Sequence, residues 1–204
     1  MPGTRERLVS ASVDLMRSRG FRGTGLKDVI TAAAATTGSL YHFFPGGKDE
    51  LVRAAIRDDG AAHEATFSDV ARRASGPGEA IATYFGLAAD VVEATGFVDL
   101  CPIGTIAGET ASTNDAIRVA CDEVFRGWQR LVAAELVTAG FDPDDAAELA
   151  ATTVATLLGG FVLVRTQRSG APLRAAGRQL RALVEARLGR AGVGGDPLGT
   201  SVRP

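Results

Sequence analysis

Residues 36–44 read Thr-Thr-Gly-Ser-Leu-Tyr-His-Phe-Phe, and a helix through them divides into two faces. Leu40 and Phe44, four apart, turn inward, while Thr37, Gly38, Ser39, Tyr41 and His42 lie on the outer side. The chemistry open to that outer set is recognition. Hydroxyls donate to or accept from base edges, a tyrosine ring meets a thymine methyl, and small residues admit a close backbone approach. Thr36 or Thr37 opens this helix. Upstream, Thr24 is placed as an N-cap, and Leu26, Val29, Ile30 and Ala33 follow at i, i+3, i+4, i+7. With a tight turn near Ala34–Ala35, the pair has the helix-turn-helix plan, whose second helix enters the DNA major groove. Helix starts at Thr24 and Lys48 offer N–H groups to phosphates, and Lys27 and Lys48 add charge.

Charge distribution agrees. The 204-residue chain carries a formal charge of −2, so no global field draws it to nucleic acid. Residues 1–48, however, hold seven basic and three acidic side chains, a net of +4, against −6 for the rest.

Catalytic chemistry has little to work with. The chain has two histidines, His42 on the proposed DNA face and His63 in an Ala-rich stretch beside Asp58 and Asp59. That cluster could do acid–base work, but its commoner reading is a solvated helix face. Phosphate-loop, dinucleotide and nucleophile-elbow motifs are not found. Cys101 and Cys121 lie twenty apart without ligand spacing, so zinc, cofactors and a disulfide framework are not expected, and reduced thiols in a cytoplasmic protein are. The N-terminus lacks a signal-peptide core. The longest apolar run, Val154 to Val164, is too short to span a membrane.

The elements that must hold the recognition helix are themselves helical, giving an all-α chain. Helices are expected at about 4–18, 24–33, 36–43, 48–73, 79–94, 103–110, 113–139, 143–169 and 172–188. Gly20, Pro45-Gly46-Gly47 and Ser75-Gly76-Pro77-Gly78 break them, and Pro143 and Pro172 start two more. The expected division is a head over 1–48, a body over 49–188 and a frayed tail over 189–204.

The run Leu40-Tyr41-His42-Phe43-Phe44-Pro45, then Lys48-Asp49-Glu50-Leu51, resembles the signature of TetR-family transcriptional regulators. Gly20-Phe21 and Thr24-Gly25-Leu26-Lys27-Asp28-Val29 resemble that family's first helix junction, so the likeness covers residues 4–56. It implies that Thr37, Ser39, Tyr41 and His42 face double-stranded DNA and that Thr24, Lys27 and Lys48 contact phosphate. Two departures stand out. The family's turn glycine is Ala34 here, which must avoid a positive φ or accept strain. A basic residue common early in the recognition helix is Thr37, so no operator sequence carries over. Cys101-Pro102-Ile103-Gly104-Thr105-Ile106-Ala107-Gly108-Glu109 is similar to a run in the LmrA/YxaF-type subgroup.

The resemblance implies a helical body that binds a small effector and dimerises through its last two long helices. Independently, 143–169 is apolar on several faces and must be covered twice, and Gly159-Gly160 suits close backbone approach. A dimer implies a pseudo-palindromic operator. Candidate cavity residues are Phe67, Tyr84, Phe85, Phe97, Cys101, Ile106, Trp128, Leu131 and Phe161, with Thr110, Glu109 or Gln129 as polar groups. For any one of them, ordinary core packing is the blander reading. So apolar a set suits a largely apolar or aromatic ligand, and helix 48–73 would be the lever between cavity and head. The alternatives are a helical small-molecule-binding protein without a DNA role and an enzyme.

Overall fold

The computed structural model describes residues 2–193. Among them are nine helices: α1 (Thr4–Arg19), α2 (Leu26–Ala32), α3 (Thr37–Phe43), α4 (Gly47–Arg73), α5 (Pro77–Ala94), α6 (Pro102–Thr110), α7 (Asp115–Thr138), α8 (Pro143–Gln167) and α9 (Ala171–Val193). Helices α1–α3 form a small head on the first half of α4, and α4–α9 form the body. The helix starts follow from capping chemistry. Thr36, Asn114 and Asp142 each accept a backbone N–H with the side chain, and Pro77, Pro102, Pro143 enter at the first turn, where no donor is lost.

Three expectations need correction. Gly25, not Thr24, caps α2; Thr24 is buried and its hydroxyl donates to the Gly20 carbonyl at 2.8 Å. The last helix does not stop at 188 but runs through Gly189 to Val193, and the rest of the expected tail, 194–204, lies outside the described residues. Helix α8 is long and apolar enough to cross a membrane by length and composition, its most apolar 18 residues having a mean hydropathy of 1.7. It lies instead among α7 and α9, burying Leu149, Val154, Leu157, Phe161 and Val164.

In the head, Leu8, Met16, Leu40 and Phe44 are all at most 1% exposed and pin α3 to α1. The turn before α3 resolves the question posed by Ala34: its φ is +46°, the left-handed region. A side chain there costs about 1–2 kcal/mol. The Ala35 N–H donates to Ile30 at 3.0 Å, and Arg7 Nε donates to the Ala33 carbonyl at 3.0 Å, so the turn is held from two sides. In the body, α5 lies along α9 at close range. A Cβ on Gly177 would stand 2.8 Å from Phe85 Cβ and 3.2 Å from Ala82 Cα. The Gly159-Gly160 pair divides its roles: a Cβ on Gly160 would stand 2.4 Å from Leu173, whereas Gly159 faces open space.

Candidate DNA-facing surface and ligand cavity

Helix α3 is anchored on one side and bare on the other. Leu40 is fully buried, while Tyr41 is 51% exposed and Thr36, Thr37, Gly38 and His42 are exposed with it. Thr36 Oγ1 accepts the Ser39 N–H at 3.1 Å and pairs with the Ser39 hydroxyl at 2.9 Å, so half-buried Ser39 serves the cap as well as the face. Glycine at 38 answers no demand of the fold. An added Cβ would meet only Thr36 Oγ1, at 3.8 Å.

The head's charge is partly spent on structure. Lys48 Nζ donates to the Phe21 carbonyl at 2.6 Å and lies 4.1 Å from the Phe21 ring centroid, tying the α1–α2 turn onto α4. Burial lowers its pKa. Arg7 goes to the α2–α3 turn and Arg17 to Asp59. Arg5, Arg19, Arg22 and Lys27 are exposed, with Arg19 3.9 Å from Asp28, so the surface field rests mainly on them.

In the body, two cavities share Tyr84 and His63. The smaller, about 30 Å³, is walled by Phe67, Phe85, Trp128 and Leu131, room for about one water. The larger, about 260 Å³, is lined by Tyr84, Cys101 and Phe161 together with Leu87, Ala88, Val91, Asp99 and, from the head, Arg17. Seven of the twelve expected cavity residues therefore line one of the two spaces. Phe97, Ile106 and Thr110 do not. Phe97 sits in the turn after α5 at φ +66°, Ile106 is packed at 1% exposure, and the buried Thr110 hydroxyl donates back to Ile106 at 2.7 Å. Gln129 lines neither cavity, and Glu109 works elsewhere: its Oε2 accepts the Arg22 N–H at 2.9 Å, clasping the α1–α2 turn to α6.

The expectation that Asp59 and His63 form a solvated face is overturned. Asp59 is 3% exposed. Its Oδ1 accepts from Arg17 Nη2 at 2.6 Å, and His63 Nε2 stands 3.5 Å from Oδ2. On its other side, His63 Nδ1 is 2.7 Å from the Tyr84 hydroxyl. Burial raises the Tyr84 pKa, so the phenol keeps its proton. With the phenol protonated, its O–H donates to Nδ1 and leaves Nε2–H facing Asp59 Oδ2 at 3.5 Å, short of a well-formed hydrogen bond. Burial tends to raise the Asp59 pKa, but His63 and Arg17 outweigh it and the net shift is downward. Neither thiol has thiolate character: burial pushes Cys101 up to about 12 and Cys121 to about 11. Among the described residues, no group of three or more His, Cys, Asp or Glu is placed to hold a metal.

Residues 8–55 match the family model for bacterial regulatory proteins of the tetR family, and residues 77–179 match that for the C-terminal domain of LmrA/YxaF-like transcriptional regulators. The chain belongs to the TetR family. It is 31% identical over 181 residues to the HTH-type regulator YxaF of Bacillus subtilis, covering 89% of this chain and 95% of that one. It is 34% identical over 193 residues to the Mycobacterium tuberculosis HTH-type regulator Rv0196, covering 92% and 97%. Among solved structures, reduced Escherichia coli NemR superposes with a TM-score of 0.77 at 23% identity, covering 87% of this chain and 94% of NemR. The TetR-family regulator CifR, in a cysteine mutant complexed with 26-base-pair operator DNA, gives 0.73 at 21%, covering 87% and 94%. These structural likenesses establish the shared fold.

Proposed function

We propose that this TetR-family regulator is a homodimeric repressor that binds a pseudo-palindromic operator through paired α3 helices. A small, largely apolar or aromatic ligand in the 260 Å³ cavity releases it. The observation that carries the DNA reading is the bare outer face of α3. Thr37, Gly38, Tyr41 and His42 are exposed on a helix whose inner side is locked by Leu40 and Phe44. An exposed aromatic and a glycine the fold does not require are what a base-reading surface calls for. Lys27 and Arg22 supply phosphate attraction around it, with Lys48 fixing the turn beside them.

Dimerisation is supported by the outer faces of the last two helices. Val162 is 60% exposed and Leu163 48% on α8, and Leu183 is 37% on α9. A second copy related by a two-fold axis covers such faces and presents two recognition helices at half-sites one helical turn, roughly 34–36 Å, apart. The setting is the bacterial cytoplasm, where the DNA is, and the chain performs no catalysis. Ligand release then requires that the ligand bind the state with misplaced heads more tightly than the DNA-competent one.

The test is operator binding by Tyr41→Ala against the unmodified protein. Loss of a base contact weakens specific binding by about 1–3 kcal/mol and spares nonspecific binding. Equal affinity in a folded variant removes Tyr41 from the interface.

A further inference from the structure

Arg17 belongs to α1 in the head, yet its side chain lines the body cavity. It is 36% exposed, and Asp59 Oδ1 is the one acceptor it bonds among the described residues. A guanidinium carries five N–H donors, so several of Arg17's remain able to meet a ligand. Asp59 stands behind it with a side chain 1% exposed, and its Oδ2 makes no hydrogen bond within normal distance. From Asp59 the polar chain continues through His63 to Tyr84, whose ring also lines the cavity. Four residues on α1, α4 and α5 thus form one path that begins in the head and ends at the cavity wall.

We propose that Arg17 is a direct ligand contact of the cavity and the point at which a ligand acts on the head. The inference rests on the regulatory reading above and deepens it. The ligand it selects has an apolar frame and one acceptor oxygen. The frame lies against Leu87, Val91 and Phe161, and the oxygen takes a hydrogen bond from Arg17 in competition with Asp59. Asp99 lines the same cavity and acts on the guanidinium by its charge, without an ion pair to it. It disfavours ligands with more than one negative charge. Arg17 connects α1 to mid-α4, so a shift in its pairing changes how the head sits on its lever. An arginine turned from Asp59 leaves a buried carboxylate short of a partner, a state the protein relieves by moving α1.

The probes are 1-anilinonaphthalene-8-sulfonate, an apolar frame with one anionic acceptor group, and N-phenyl-1-naphthylamine, the same frame without it. Both are titrated by fluorescence into the full-length protein, into Arg17→Gln and into the Arg17→Gln/Asp59→Asn double variant. The double variant removes the orphaned carboxylate that could unfold the single one. Losing a hydrogen bond to a charged group weakens the sulfonate probe by about tenfold or more, and the uncharged probe stays within twofold. Ala88→Trp, which fills the cavity, abolishes both signals. The same sulfonate titration with saturating operator duplex gives weaker binding for the unmodified protein and no operator effect in the double variant. Equal sulfonate affinity with and without Arg17, or binding that survives Ala88→Trp, overturns the ligand contact. An operator effect that persists without Arg17 overturns its role in coupling. A protein that binds no operator at all overturns the regulatory reading and the coupling with it, while the probe affinities still decide the contact.

Discussion

Replacing Gly38 with alanine should raise stability and lower operator affinity together, a combination that a packing role for this glycine cannot produce. Inside the protein the new methyl meets only Thr36 Oγ1, at the ordinary distance of 3.8 Å. Glycine in a helix costs about 0.5–1 kcal/mol relative to alanine, so the variant should gain that amount. In a chain of this size the gain is a rise in Tm of roughly 1–4 °C. On the outer face of α3, proposed above to meet DNA, the methyl would intrude on the groove contact. Crowding of a tight contact costs about 1–3 kcal/mol, or about 5- to 150-fold in Kd. Thermal unfolding followed by circular dichroism, and anisotropy of labelled operator at fixed salt, measure the two effects separately. A higher Tm with operator affinity within twofold of the unmodified protein would refute the close approach of Gly38 to DNA.

Ala34→Gly releases the left-handed strain at φ +46°, worth about 1–2 kcal/mol, against about 0.4–1 kcal/mol of added unfolded-state entropy. Denaturant titration should find the variant equal or up to about 1.6 kcal/mol more stable, and a clear loss would mean the turn is not strained. Gly177→Ala drives a Cβ to 2.8 Å from Phe85 on a packed helix pair. It should cost about 1–3 kcal/mol, seen as a lower Tm, and an unchanged Tm would contradict the close α5–α9 approach. Glu93 accepts from Arg174 Nη1 at 3.0 Å, Arg174 Nη2 at 2.6 Å and the Gly170 N–H at 2.7 Å. Arg174 and these hydrogen bonds hold its pKa at about 2, against an ordinary 4.5. Because the folded value is the lower one, its stabilisation is complete above the ordinary value and is lost as pH falls toward about 2. Urea midpoints between those limits should fall less steeply for Glu93→Gln, and parallel curves would exclude the clasp.

Helix α3 was legible because its signals are local: an inward pair four residues apart, a threonine cap and a terminating proline all lie within ten positions. The helix order was legible for the same reason, from breaks such as Ser75-Gly76-Pro77-Gly78. Thr24 misled because a threonine before an apolar run has the pattern of an N-cap, while its burial comes from a contact with Gly20 that the pattern does not encode. Nothing local in the sequence marks Arg17 as a cavity residue. Its partner Asp59 lies 42 residues on, and only the crossing of α1 over α4 brings them together. Asp59 and His63 have the i, i+4 spacing of an ordinary surface pair, so nothing local distinguishes a buried relay from a solvated one. Glu109 is the same case across 87 residues.

Whether α3 reads a specific operator, as proposed above, is decided by titrating the purified protein against duplexes flanking its own gene. The titration runs across a salt series with excess competitor DNA. The expected result is a competitor-resistant complex containing two chains per site, with affinity falling linearly on a log–log salt plot. Absence of any complex at low salt would contradict it.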